Sequence, residues 1–219
     1  MYVIGVAGQA RFGKDCLADK LCEILNKNRN ENFWTRASFA NGVKGVFCDA
    51  FGVSREFIEE WKVRDSPPPG FDMNVRKGLQ FIGDGFRTIR STVWVDIPFQ
   101  IKTPKIISDV RYPNEFHKVY EKGGINILIG RTDKLNDDPN GSEALIKPYV
   151  EWALAQENED EVNHQLHISR SLGSKMKGAP QDMNKFHLFV RNDGTLEELY
   201  DKINDIVVPY VEKFTFKKE

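Results

Sequence analysis

Residues 3–15 read Val-Ile-Gly-Val-Ala-Gly-Gln-Ala-Arg-Phe-Gly-Lys-Asp. Val3, Ile4 and Val6 predict a buried strand. Gly8, four intervening residues and then Gly13-Lys14 follow it. The segment from Cys16 to Leu25 then sets Leu17, Leu21, Ile24 and Leu25 on one helical face. Strand, glycine-bearing turn and helix in that order form a phosphate-binding loop. The glycines let backbone N–H groups turn inward, the helix N-terminus adds the positive end of its dipole, and Lys14 reaches the β- and γ-phosphates. Position 15 is Asp, where such loops carry a Ser or Thr hydroxyl for Mg²⁺.

Working outward, short apolar strands alternate with helical segments. Trp34 to Phe39, Lys105 to Asp109, Ile125 to Ile129 and His187 to Val190 read as strands. Val43–Phe51, Val53–Val63, Asn114–Lys122 and Thr195–Val207 read as helices, with Ser54 and Thr195 as N-caps. Met73–Ile89 reads as a helix with a break near Gly83 and Gly85, and Thr92–Phe99 continues it as far as Pro98. Ser66-Pro67-Pro68-Pro69-Gly70 is a loop, because proline neither continues a helix nor donates to a central strand. The alternation predicts a parallel sheet covered on both faces, with ligands at the carboxyl ends of its strands. A polar link spans 26–32, and the polar, charged stretch 131–185 is read as a mobile lid or insertion containing one helix, Glu143–Gln156, and an acidic run, Glu157–Glu161.

The chain has 219 residues, enough for one domain, and 40% apolar residues support a real core. A net charge of -1 provides no basic excess for a nucleic-acid surface. No apolar run is long enough to span a membrane and no secretory segment precedes the first strand, so a cytoplasmic location is expected. Cys16, Cys22 and Cys48 lack zinc or disulfide spacing, and the four histidines lack metal-ligand spacing.

Two further strand ends carry chemistry. Asp109, after Ile106-Ile107, is placed to meet Mg²⁺ directly or through water, or else to cap the next helix. Arg111, two residues on, is a bidentate phosphate grip, or else a surface partner of Glu115.

Taken in order, these pieces resemble the phage-type deoxynucleoside monophosphate kinases of the P-loop kinase superfamily. The matching segments are GQARFGKD, in which Gly-Lys-Asp is a common family form, SFANGVK (38–44), LQFIGDGFR (79–87) with Trp94-Val95, SDVRYPNE (108–115) and NDGTLEEL (192–199). The resemblance spans residues 3 to about 207. It implies a three-layer P-loop kinase fold over 1–219, with a monophosphate-binding helical region at about 38–100 and a lid at about 131–185. It implies transfer of a phosphoryl group from ATP, with Mg²⁺, to a deoxynucleoside 5′-monophosphate, and by analogy a homodimer. Family members often carry a His-x-Ser-Glu element in the lid. Gly141-Ser142-Glu143 keeps the Ser-Glu, His167-Ile168-Ser169-Arg170 keeps the His and Ser, and both segments stand as its equivalent.

The implied roles follow. Gly8, Gln9, Ala10, Phe12, Gly13, Asp15 and Cys16 wrap the donor phosphates, and Lys14 follows the migrating charge. Arg11 and Arg131 stabilise the transition state. Asp15 or Asp109 holds Mg²⁺, directly or through water, or else Asp15 serves only as an N-cap or first-turn carboxylate. Asn192, Asp193 and Gly194 shape the adenine pocket. Lys44, Arg87 and Arg111 take the acceptor phosphate, while Gln80, Asn114 and Glu115 contact its base or sugar. Phe39 and Trp94 stack on the acceptor or else belong to the core. An incoming phosphate is already a competent nucleophile, so the site needs cations more than a general base. Another small-molecule kinase, of the dephospho-coenzyme A or shikimate type, and a nucleotide-binding regulator without an acceptor are the alternative readings.

Overall fold

The computed structural model describes residues 2–29, 33–135 and 141–216. Parts of the expected link at 26–32 and of the expected lid, namely 30–32 and 136–140, lie outside the described residues. The strands are β1 (Val3–Ala7), β2 (Thr35–Ala37), β3 (Lys105–Val110), β4 (Ile125–Gly130) and β5 (Leu188–Arg191). They form one parallel sheet in the order β2-β3-β1-β4-β5. Every residue of β1 and β4 is buried, as a sheet covered on both faces requires.

The helices in chain order are α1 (Lys14–Arg29), α2 (Ala40–Phe51), α3 (Arg55–Trp61), α4 (Val75–Ile89), α5 (Val93–Asp96), α6 (Pro113–Glu121), α7 (Ser142–Leu154), α8 (Glu159–Leu172), α9 (Leu196–Lys202) and α10 (Val208–Phe216). From β1 the chain runs through α1 toward the β2 edge, and from β3 it runs through α6 the opposite way to β4. Right-handed crossovers therefore put α1 and α6 on opposite faces. α1 packs on β1, β2 and β3, and α6 on β1 and β4. α7 and α8 lie against β4 and β5, while α9 and α10 return to α1. The chain thus has an α/β fold, a five-stranded parallel sheet flanked by helices. The direction reverses around β1, which leaves its carboxyl end as the place where loops separate.

Leu17, Leu21 and Leu25 of α1 are buried, each contributing roughly 2 kcal/mol. They hold the first turn of α1, and with it the loop, against the sheet.

Two compact units are present: Met1–Ala37 with Lys102–Glu219, and Ser38–Ile101. The second has its own core of Phe47, Ile58 and Val75, joined by Phe57, Trp61, Phe71, Leu79 and Ile82. Ser54 caps α3, its hydroxyl accepting from Phe57 N.

Three expectations need correction. α4 is unbroken from Val75 to Ile89. Each glycine costs about 1 kcal/mol of helix propensity, yet Gly78 and Gly83 leave room for neighbours. A Cβ on Gly78 would lie 2.9 Å from the Phe47 ring, and the Gly83 carbonyl accepts from the Trp94 indole at 2.9 Å. Second, the acidic run at 157–161 opens a further helix, α8. Asn158 caps it by accepting from Glu161 N, the acids sit at the positive end of its dipole, and Val162 and Leu166 bury a narrow stripe. Third, the last helical stretch continues beyond Val207. A π-turn at Ile203–Val207 precedes Pro209, which has no N–H to donate, and α10 runs on to Phe216.

Candidate active site

The loop between β1 and α1 is shaped by close approaches. Gly8 has φ +154°, and a Cβ there would sit 2.5 Å from the Ile129 carbonyl oxygen of β4. Gly13 has φ +90°, and its Cβ would sit 2.7 Å from Asn192 Nδ2. Neither position accepts a side chain. Arg11, exposed at the tip, adopts φ 65°, a left-handed conformation costly for a residue with a Cβ. Phe12 is fully buried, so it presents backbone to the site, and its carbonyl accepts from Asn192 Nδ2 at 3.0 Å. Leu17 N donates to Gly13 O at 2.9 Å, starting α1. Cys16 is an exposed free thiol on the first turn.

Lys14 is 7% exposed, and its ammonium donates to Gln9 O at 2.6 Å. Burial pushes it down from its ordinary 10.5 to about 8, and Arg111 pushes the same way; Glu143, Asp15 and Asp109 pull it back. The lowering corresponds to roughly 3 kcal/mol against the charged form. At about 8 the lysine still carries its charge near neutral pH, and an anion arriving in the loop would favour the charged form further.

Arg111 follows β3. Its backbone N–H and that of Tyr112 donate to Glu115 Oε2 at 2.7 and 3.0 Å. The buried Glu115 carboxylate is thereby engaged in capping α6, and Asn114 lies half-buried beside it. The Arg111 guanidinium turns to Glu143 of α7, with Nη1 2.5 Å from Oε1. The other oxygen of Glu143, Oε2, accepts from Ala10 N–H of the loop at 2.7 Å. Gln9 Nε2 donates to the Glu143 carbonyl at 3.4 Å. Ala10 N–H and Arg111 therefore engage one carboxylate, whose charge also acts on Lys14. Of the two segments that share letters with the lid element, the one containing Glu143 is at the loop, whereas His167 lies exposed on α8.

A second cluster surrounds Asp15. Its Oδ1 accepts from Ser108 Oγ at 2.6 Å and from Arg36 Nη2 at 3.3 Å. Arg36 also donates to Ser108 Oγ at 2.6 Å and pairs with Asp19. The hydroxyl that position 15 lacks is thus present beside it, supplied from β3. Asp109 is half-buried at the same strand end. Oxygen donors from one or two carboxylates suit Mg²⁺, which keeps its remaining positions for phosphates and water. No group of three or more His, Cys, Asp or Glu side chains able to cage a metal occurs among the described residues. The donor set fits an ion that arrives with a nucleotide. Asp15 or Asp109 would hold it, directly or through water, and when bound it would neutralise phosphate charge.

On the other side of the loop, Asn192 is buried, its N–H donating to Gly130 O at 2.8 Å. Asp193 Oδ1 accepts from Thr132 N at 2.7 Å, and Arg131 pairs with Asp133 at 2.6 Å. Gly194 leads into Thr195, which exchanges capping bonds with Glu198 at the start of α9. A cavity of about 340 Å³ opens here, lined by Asn192, Asp193, Gly194, Leu199 and Lys202 among others.

The remaining expected contacts lie in the Ser38–Ile101 unit. Lys44 pairs with Glu59 at 2.6 Å, Arg87 with Asp84 at 3.1 Å, and Gln80 is exposed on α4. Phe39 and Trp94 are each 2% exposed, their rings against Phe99 and Phe86. Of the two roles open for this pair, burial matches the core role.

Arg36 carries only a weak signal in the sequence, a charged residue inside a strand of three. Ser108 stands out there only within a motif. Their meeting with Asp15 depends on β2 lying beside β3.

No protein-family model matches the sequence, and no curated protein matches it. Among solved structures, the chain is similar to shikimate kinase from Acinetobacter baumannii in complex with shikimate, at 16% identity and TM-score 0.42, covering 95% of this chain and 93% of that one. It is similar to shikimate kinase from Aquifex aeolicus at 13% identity and TM-score 0.38, covering 92% and 93%. It is similar to dephospho-CoA kinase from Campylobacter jejuni at 14% identity and TM-score 0.40, covering 97% and 99%. The α/β class of this chain rests on its own sheet order and crossovers.

Proposed function

We propose that the chain is a kinase that transfers the γ-phosphoryl group of ATP, with Mg²⁺, to a deoxynucleoside 5′-monophosphate. The observation that carries this reading is the meeting of the Ala10 N–H and Arg111 on a single carboxylate at the carboxyl end of β1, beside the buried Lys14 ammonium that donates to Gln9 O. Donors of that kind in a sparsely hydrated seat are what a transferring phosphoryl group needs, since its charge spreads over peripheral oxygens. Loop backbone and Lys14 hold the donor phosphates. Arg111 is placed to draw the transferring or accepting phosphate toward them. The cavity beside Asn192–Gly194 is the proposed place of the donor base. The deoxynucleoside acceptor rests on the motif resemblance at 79–87, 94–95 and 108–115.

The test is a panel of all common deoxynucleoside and nucleoside monophosphates, dephospho-coenzyme A and shikimate, each with ATP-Mg²⁺, read as acceptor-dependent ADP release. The reading expects turnover with at least one deoxynucleoside monophosphate. Turnover of dephospho-coenzyme A or shikimate alone would reassign the acceptor. ATP hydrolysis indifferent to every acceptor would replace the kinase with a nucleotide-binding regulator. No helix among the described residues is long and apolar enough to cross a membrane, and the net charge of -1 provides no basic excess for a nucleic-acid surface.

A further inference from the structure

Glu143 reaches the loop from far along the chain, 133 residues from Ala10, and its carboxylate makes the contacts that a phosphate oxygen pair would make. Its side chain is 12% exposed. One oxygen accepts a loop N–H in a charge-assisted hydrogen bond and the other is ion-paired with a guanidinium, two kinds of contact by which proteins recognise phosphate. α7 is anchored along its length by the buried side chains of Ile146, Val150 and Ala153, so the helix presents Glu143 from a fixed base.

We propose that Glu143 is an internal stand-in for phosphate, which seats itself in the β1–α1 loop, competes with the polyphosphate of the incoming nucleotide, and is expelled when that nucleotide binds. The proposal rests on the phosphate-loop reading given above. Two consequences follow from the charges. With Glu143 seated, the buried Lys14 and the partly exposed Arg111 have a counter-charge near them without nucleotide, which limits the cost of holding two cations at one loop. With a polyphosphate seated, the Glu143 carboxylate would add like charge beside it and must leave, so the first turn of α7 loosens. The apparent affinity for polyphosphate is then lowered by the fraction of molecules in which the carboxylate is seated. The contrary arrangement keeps Glu143 on Arg111 throughout the cycle and makes it a positioning residue, whose loss would weaken binding.

The experiment titrates inorganic pyrophosphate calorimetrically into the full chain, its Glu143→Gln and Glu143→Ala variants, and Lys14→Ala as a loop control. A pH of 6.0 lies well below the Lys14 value of about 8, so the ammonium is charged in the wild type. Pyrophosphate is expected to bind Glu143→Ala about tenfold more tightly than the wild type. Glu143→Gln, which keeps an acceptor for Ala10 N–H but offers no charge to Arg111, is expected to fall between. Equal or weaker binding by both variants would overturn the proposal while leaving the loop reading intact. Binding of pyrophosphate by none of the forms, ATP included, would remove the loop reading and the proposal together. Should neither variant fold, hydrogen exchange on the wild type decides. Pyrophosphate is expected to accelerate exchange of the 144–147 amides, and unchanged or slowed exchange there would overturn the proposal.

Discussion

The loop at the end of β1 and the helical unit Ser38–Ile101 both carry cations assigned to phosphates, and they hold them differently. At the loop, Arg111 and Glu143 come from separate elements and pair beside the buried Lys14 of a third. In the helical unit, Arg87 pairs with Asp84 one helical turn away and Lys44 with Glu59 on the adjoining helix, each acid being about half or more exposed. Surface pairs of that kind contribute about 0–1 kcal/mol. A charge that is shifted by burial costs stability, and a fold retains such a cost where binding or chemistry requires it. The contrast separates a site built by the sheet from cations that are merely available.

The largest effect is expected from Lys14→Ala. Turnover should fall by at least about a thousandfold, the scale on which phosphate clamps act. The fold should be as stable or more so, because a buried ammonium is removed. Coupled ADP release and thermal melting check both halves. Unimpaired turnover would break the contrast outright.

Arg111→Ala comes next, with transfer to the monophosphate reduced on the order of a hundredfold. Steady-state kinetics with each substrate varied decides its role. A change confined to ATP affinity would take Arg111 away from the acceptor.

The wild type should lose ATP affinity about tenfold per pH unit above pH 8, as Lys14 sheds its proton, because only the charged form pairs with phosphate. Stability runs the opposite way. The folded value, about 8, lies below the ordinary 10.5. Between these values the unfolded chain binds the extra proton, so the wild type should gain stability relative to Lys14→Ala as pH rises through that window. Melting of both proteins across pH 7–10.5 reads this difference, and a flat difference would deny the burial shift.

The smallest effects belong to the helical unit. Lys44→Ala and Arg87→Ala should each cost under about 1 kcal/mol of stability. Each should raise the monophosphate KM several-fold and leave the ATP KM unchanged, since a weak exposed pair yields its cation readily to a phosphate. Unchanged kinetics in both would confine the contrast to stability and leave the acceptor to the sheet unit alone.

The β1–loop–α1 segment was legible because its signals are local: β-branched residues, two glycines at fixed spacing, then a lysine. The caps at Ser54 and Thr195 were legible for the same reason, each a hydroxyl three residues before the N–H it accepts from. α8 was hidden because its apolar stripe is narrow and its acids, placed for the helix dipole, resemble a solvated run. α4 was misread at Gly83, where a carbonyl engaged by Trp94 and space for neighbours outweigh propensity. At the site, Lys14 and Arg111 were visible as motif members. The partnership of Asp15 with Ser108 and Arg36, and the seat taken by Glu143, were not, because the partners are separated by 93, 21 and 133 residues and meet only through the sheet.

The central claim is that the β1–α1 loop binds the donor polyphosphate through Lys14. Its most direct test is calorimetric binding of a non-hydrolysable ATP analogue with Mg²⁺ to the wild type and to Lys14→Ala at pH 7. The account predicts saturable one-to-one binding by the wild type and a loss of about a hundredfold or more in the variant. Equal affinities in the two proteins would contradict it.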